Sequence, residues 1–233
     1  MSNMYKDVGD KRPNPLKGQC QHFCGYCYVE LLKDKFPNMR TKYSGAYELD
    51  TKGLLKNFKT DKPLFVCDCN DLFEEHVPTN IILDILEYYK KFTDNTFLFQ
   101  TKNPLRASLF TFPKNTIIVT TIETNRDYPD VYDGDVPSVK ERLIGIQKFT
   151  KHKTQITIEP IMDFDLIEFV AMIKESGAYQ VNIGANSNKK FDTLLGRIRL
   201  PEPSKEKTLQ LIKELEKLSI NVVVKDNLSR LIS

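Results

Sequence analysis

Downstream of residue 63 the apolar positions follow two alternating periods. Short runs rich in Val, Ile, Phe and Thr repeat every second residue and predict strands over 64–70, 96–102, 116–123, 154–159, 180–184 and 221–225. Between them, apolar residues recur at helical spacing. Ile81, Ile82, Ile85, Leu86 and Tyr89 give the buried face of a helix starting at Pro78, and a short helix follows Pro104. Further helices open at Ser138, at an Asp163 cap and run through about 175, and at Ser204. Regular alternation of strand and helix predicts a parallel sheet with right-handed crossovers. Upstream, residues 1–13 are polar and read as irregular, and Pro13 and Pro15 flank an extended piece leading to Gly18. Tyr28, Leu31, Leu32, Lys35 and Phe36 share a helical face that Pro37 stops; 38–50 reads as loop and 51–58 as a short helix. With the opening strand counted, the pattern predicts a partial (β/α)6 TIM-like barrel of parallel strands with an extra C-terminal strand, in one domain over 1–233.

Strand alternation separates a helix-facing set from a lumen-facing set. The polar sets are Asp68 with Asn70, Gln100 with Lys102, and Thr121 with Glu123. They continue with Gln155, Thr157 and Glu159, then Asn182, Gly184 and Asn186, and end on Lys225. Each run leaves an ionisable or amide group at its C-terminal end, where barrel active sites gather. A purely structural barrel fills that space with Val, Ile and Leu, so a polar pocket is expected there.

Composition narrows the setting. The chain has 233 residues, and its 34 basic and 31 acidic residues leave a net charge of +3, which neither demands nor excludes a nucleic-acid partner. No apolar run is long enough to span a membrane, and the start lacks the apolar stretch of a signal peptide. Free, clustered cysteines then fit a reducing cytoplasm.

The most specific chemistry is Cys20-x3-Cys24-x2-Cys27, three thiols within eight residues. Thiolates suit zinc or iron–sulfur iron. A zinc site completed by His22 or a distant ligand is one reading. Buried apolar thiols are another, disfavoured by the intervening Gly and aromatics. A disulfide framework fits poorly with five cysteines in a chain this long. Three ligands are one short of the four that hold an electron-transfer cluster, which leaves one iron of a four-iron cluster open.

That spacing, with Tyr26 just before the third cysteine, resembles the signature of the radical S-adenosylmethionine (SAM) enzymes. Further pieces occur in order: Asn14-Pro15, Asp71-Leu72-Phe73, Gln100-Thr101-Lys102-Asn103-Pro104, Thr121-Ile122-Glu123, Ile158-Glu159-Pro160, Ile183-Gly184 and Val224-Lys225. Together they resemble a phage and bacterial radical-SAM family of unknown function that is distantly similar to spore photoproduct lyase. The resemblance implies a [4Fe-4S] cluster on Cys20, Cys24 and Cys27, with SAM on its open iron and Tyr26 beside the adenine. It places Asp68, Asn70 and Asp71 where the family has its SAM amino-group motif, although the Gly-Gly-Glu form of that motif is absent here. Lys102 and Glu123 become candidates for the SAM ribose and carboxylate, and Gly184 with Asn186 for the stretch passing the adenine. Glu159 and Lys225 are left to face substrate, and Cys69 becomes a candidate thiol that returns hydrogen to a product radical. A flavodoxin- or ferredoxin-type electron donor is implied.

The expected substrate is a nucleobase, nucleotide or nucleic acid. A partial barrel leaves a lateral opening, and only the loops 124–137 and 185–203 remain to form a lid, which favours a large substrate. Lys189, Lys190, Arg197 and Arg199 in one loop, and Lys33, Lys35, Arg40 and Lys42 near the cysteines, are candidates for phosphate contacts. The reading from a different class is a zinc-stabilised binding module without catalysis.

Overall fold

The structure is a computed structural model and describes residues 8–54, 60–132, 134–186 and 200–233. Two short strands, β1 (Leu16–Lys17) and β2 (Glu48–Leu49), pair antiparallel. The main sheet has six parallel strands in sequential order: β3 (Leu64–Val66), β4 (Phe97–Thr101), β5 (Thr116–Thr121), β6 (Lys153–Ile158), β7 (Gln180–Ile183) and β8 (Asn221–Val224). Helices α3 (Thr79–Lys90), α4 (Pro104–Ala107), α5 (Val139–Gln147), α6 (Leu166–Glu175) and α7 (Lys205–Glu216) form the crossovers, preceded by α1 (Tyr28–Lys35) and α2 (Pro37–Lys42) and followed by α8 (Ser229–Ile232). This is the expected α/β architecture, with the C-terminal strand as the sixth member of the sheet.

The expected opening strand lies outside that sheet's ladder. Residues 9–13 instead run beside the β3 edge. Gly9 N–H donates to the Pro63 carbonyl at 2.9 Å, and Cys67 N–H donates to the Pro13 carbonyl at 2.8 Å. The chain covers an edge that would otherwise present unpaired backbone groups. The described part of the segment expected to be irregular, 8–13, is therefore held to that edge, and it brings Val8 inside the barrel and Arg12 to its mouth.

The two faces of the sheet carry different cores. Leu64, Val66, Phe97, Phe99, Ile118, Ile156, Ile158, Val181 and Ile183 pack with the apolar stripes of α3, α5, α6 and α7. Val8, Phe65, Leu98, Ile117 and Val119 form the apolar floor of the inner face. Level with Val119, across β6 to β8, the inner face turns polar. Gln155, Gln180 and Asn221 share one register layer, with Thr121, Thr157 and Asn182 across the next. Asn221, Gln180, Asn182 and Gln155 form a chain of side-chain hydrogen bonds of 2.9–3.2 Å. Alternation thus holds as expected for β4 to β8.

It fails at β3, where Phe65 faces inward and Val66 faces the helices. The strand stops at Val66 because Cys67 adopts φ +59°, a left-handed turn that no strand accommodates. The residues beyond it are re-aimed. Three other expectations are corrected. Pro37 begins α2, a segment expected to be loop; the extended backbone of Phe36 does end α1. The N-cap position of α6 is Asp165, whose side chain makes no capping bond and pairs with Arg126 at 2.6 Å, while Asp163 pairs with Arg126 and, at 2.6 Å, with Lys207. Over 51–58 the described part, 51–54, forms turns, and the rest lies outside the described residues.

Candidate active site

The cysteine loop crosses the C-terminal ends of β3 to β5, and three of its side chains tie it to groups at those ends. His22 Nε2 meets Asp71 Oδ2 at 3.0 Å, and its Nδ1 meets the Asp135 carbonyl at 2.8 Å. Asp71 also accepts the Lys102 and Phe73 N–H groups at 2.7 and 3.0 Å. Burial pushes the Asp71 carboxyl up, but the His22 ring and the backbone and Thr101 donors bring it below the usual carboxylate range. Tyr28 donates to the Asp68 carbonyl at 2.6 Å and lies 3.8 Å from Cys69 Sγ. Tyr26 donates to Glu123.

Glu123 is the hub of a buried network. Its side chain is fully buried; Oε1 accepts from Tyr26 and, at 2.7 Å, from Tyr132, while Oε2 accepts from Arg142 Nη1 at 2.7 Å. Lys102 Nζ lies 3.9 Å from Oε1 and over the Tyr26 ring, 5.3 Å from its centroid. Burial raises the acid's pKa, but the Arg142 and Lys102 charges and the tyrosine donors bring it down to about 2.

The loop after β5 is stitched to the cysteine loop as well. Gly25 N–H donates to the Val131 carbonyl at 2.8 Å, and Cys24 bridges Tyr132 antiparallel. A Cβ on Gly134 would lie 1.8 Å from the Gln21 carbonyl oxygen, so only glycine permits this approach. Val131, Met162 and Leu200 pack with Tyr26, Tyr128 and Tyr132 above the strand ends. The described part of this expected lid is therefore part of the frame around the cysteine loop.

A second group sits at the ends of β6 to β8. Glu159 pairs with Lys225 and accepts from Asn227 Nδ2 at 2.6 Å. A Cβ on Gly184 would lie 2.7 Å from Glu159 Oε1. Burial lowers the Lys225 pKa, outweighing the Glu159 charge that raises it, and the Arg12 charge adds to the lowering. Arg12 donates to Asp68 Oδ2 at 3.1 Å. It thus lies at the end of β3 and within the field of Lys225 at the end of β8. Asn186 is buried, and its carbonyl accepts from Arg230 at 3.1–3.3 Å.

Cys20, Cys24 and Cys27 line a single cavity of about 170 Å³, together with Cys69, Tyr43 and Glu30. Burial pushes all the thiols up, to about 11 for Cys27 and about 12 for Cys69, with Asp68 adding to the latter. Metal binding there releases protons and is favoured by rising pH. Among the described residues no three His, Cys, Asp or Glu side chains are placed to share one metal ion. A four-iron cluster takes one thiolate per iron, so three separate thiols around one cavity are a donor set that fits it. Cys67 is buried in the helix-side core, away from this cavity.

The expected residues thus fall into two neighbourhoods. Tyr26, Asp68, Cys69, Asn70, Asp71, Lys102 and Glu123 surround the cysteine loop, and Asn70 Nδ2 holds the Gly18 carbonyl at 3.0 Å. Glu159, Gly184, Asn186 and Lys225 form the second group. Of the basic cluster near the cysteines, Lys33 is buried against Glu30 at 3.0 Å, and Lys42 pairs with Asp50 at 2.7 Å, so neither points to phosphate. Arg40 is exposed, 3.8 Å from Asp34. Lys189, Lys190, Arg197 and Arg199 lie outside the described residues. Sequence reasoning missed Arg142, Tyr132, Arg12 and Asn227. Arg142 carried a signal: it occupies an apolar-stripe position with Val139, Leu143 and Ile146, and a charge on a buried stripe calls for a buried partner.

Comparison with known proteins places this geometry in a fold. A spore photoproduct lyase mutant with bound AdoMet and dinucleoside spore photoproduct superposes with a TM-score of 0.67 at 13% identity, covering 96% of this chain and 78% of that one. Spore photoproduct lyase complexed with dinucleoside spore photoproduct gives 0.65 at 14% identity over the same shares. A radical SAM methyltransferase from Sphaerobacter thermophilus gives 0.55 at 13% identity, covering 95% of this chain and 67% of that one. The likeness establishes the shared TIM-barrel-like fold. No curated protein matches the sequence. A family model described as a protein of unknown function (DUF5131) matches residues 9–180, and the chain belongs to that family.

Proposed function

We propose that this protein is a radical SAM enzyme in which Cys20, Cys24 and Cys27 hold a [4Fe-4S] cluster and the neighbouring strand ends hold SAM. The observation that carries the reading is the meeting of three loop thiols on one cavity at the C-terminal ends of a parallel sheet, on the fold shared with spore photoproduct lyase. Such a cluster, reduced by a flavodoxin- or ferredoxin-type donor, supplies the electron that splits SAM into methionine and a 5′-deoxyadenosyl radical able to take hydrogen from an unactivated carbon.

This chain's own residues then bind, orient and exclude water. Lys102 offers a cation for the SAM carboxylate, and the 68–71 segment offers acceptors for its amino group. Cys69 shares the cavity with the cluster thiols and touches the Tyr28 hydroxyl, which supports its role as the hydrogen source for a product radical. Gly184 and Asn186 pass the SAM adenine, and Glu159 and Lys225 face the substrate, for which we read a nucleobase, nucleotide or nucleic acid; the lyase that shares the fold binds a dinucleoside photoproduct.

Anaerobic reconstitution with iron and sulfide tests the proposal. The expected result is a brown protein with about four irons per chain that turns SAM into 5′-deoxyadenosine when reduced. Cys24→Ala abolishes the cluster and Cys67→Ala keeps it. A colourless protein that binds one zinc ion tightly and leaves SAM intact overturns the enzyme reading in favour of a zinc-stabilised module.

A further inference from the structure

The Glu123 network has a geometry that SAM binding does not explain. Both carboxylate oxygens are taken, the side chain is fully buried, and three of its partners come from separate parts of the chain. Tyr26 belongs to the cysteine loop, Tyr132 to the loop after β5, and Arg142 to α5. Arg142 is itself buried, and the same Nη1 that bonds Glu123 also donates to the Thr121 carbonyl at 2.8 Å. Its guanidinium lies over Tyr132, 5.9 Å from the ring centroid. A charge buried this deeply is stable only while its counter-charge and donors stay in place. The carboxylate therefore fixes the position of every group bonded to it.

From this we infer that Glu123 is a clamp and not a SAM ligand, and that Arg142 is the positioning residue that aims it. Arg142, on the helix after β5, holds the carboxylate at the strand end. The carboxylate holds the Tyr26 hydroxyl, and Tyr26 lies between Cys24 and Cys27. The clamp sets the seat of the two downstream thiols, while the His22–Asp71 pair holds the upstream part of the same loop. The Cys24–Tyr132 bridge and the Gly25–Val131 hydrogen bond reinforce the same seat. The inference rests on the cysteine loop being the cluster-binding loop, but the clamp acts on the loop before any cluster is present.

The test compares the wild type with Arg142→Met, Glu123→Gln, Tyr132→Phe and the Glu123→Gln/Arg142→Met double variant. Hydrogen exchange of the metal-free protein is the first measurement. Arg142→Met removes the cation bonded to the buried carboxylate and leaves only Lys102, 3.9 Å from Oε1, as a counter-charge, and a fall in Tm of roughly 6–12 °C is expected. Exchange across 24–28 is expected to speed at least tenfold beyond the change in the helix-side core. The double variant removes the bonded pair together, leaving Lys102 without Glu123, and should recover part of the loss, a recovery that a simple packing defect does not give. Tyr132→Phe keeps the charge pair and covers the case in which Arg142→Met fails to fold; it should loosen the same amides more mildly.

Iron retained after reconstitution should fall in the order of loop exchange. SAM affinity of reconstituted Glu123→Gln should fall no further than that of Arg142→Met. Unchanged exchange across 24–28 in both Arg142→Met and Tyr132→Phe overturns the clamp. So does a Glu123→Gln protein whose loop is as protected as the wild type but which loses SAM affinity tenfold. Failure of the wild type to assemble a cluster overturns the radical SAM reading instead, and leaves the exchange result standing.

Discussion

At the scale of single residues, the strand-end groups owe their positions to alternation and their pairing to the fold. Gln100, Thr121, Thr157, Glu159 and Asn182 were legible as lumen-facing, because a period of two fixes the face of every residue once one is known. Asp68 and Cys69 were not, because Cys67 turns left-handed and restarts the count. Two predictions belong here. Gly184→Ala drives a methyl group into Glu159 and Asn227, and should cost about 1–3 kcal/mol, read as the shift in a denaturant midpoint. The second concerns acid. Glu123 in the folded protein sits near 2, below the unfolded value of about 4.3. Its contribution to stability is complete above the unfolded value and is lost as pH falls towards the folded one. A Tm series from pH 6 to pH 2 should therefore fall more steeply for the wild type than for Glu123→Gln; parallel curves would refute the assignment.

Whole elements were placed well where a local signal starts them. Ser138 and Glu141 form the expected opening of α5 as a reciprocal capping box, with Ser138 Oγ accepting from Glu141 N–H at 3.3 Å. Ser138→Ala should cost about 1 kcal/mol, seen as a drop of about 2–4 °C in Tm. The N-cap position of α6 falls on Asp165, two residues past Asp163, and Arg126 pairs with both carboxylates while Lys207 pairs with Asp163, a network that no local pattern announces. Contacts between loops were equally silent. The approach of the loop after β5 to the cysteine loop depends on Gly134, more than a hundred residues downstream of Gln21. Gly134→Ala should force the two loops apart and reduce iron bound after reconstitution to less than half the wild-type value, while the far-ultraviolet spectrum stays unchanged. Full iron loading would show that the loops can part without disturbing the thiols.

For the molecule as a whole, charge gives little guidance on partners, since 34 basic and 31 acidic residues nearly cancel. Folding spends Lys33 and Lys42 on internal carboxylates. If nucleic acid is the substrate, the contacts to phosphate come from elsewhere. Lys189→Ala/Lys190→Ala should weaken binding and flatten its salt dependence by about 1–2 in the log–log slope, whereas Lys42→Ala should leave the slope unchanged and lower stability. An unaltered slope in the double variant would remove that loop from the interface. No described helix is long and apolar enough to cross a membrane.

Residue order carries the features that local rules govern. Periodicity set the order of strands and helices, the parallel sheet and the two faces of β4 to β8, serine caps set the starts of α5 and α7, and the cysteine spacing singled out one loop. These follow from chain geometry within a few residues. Which residues hold that loop emerges only from the packing of distant segments. The run beside β3, the sealing of Glu123 by Arg142 and two tyrosines, the His22–Asp71 pair and the gathering of Cys69 with the loop thiols all join segments distant in sequence. Their energetics depend on burial, and burial is a property of the assembled fold: the same carboxylate is a solvated strand end in the sequence and a fully paired buried charge in the protein.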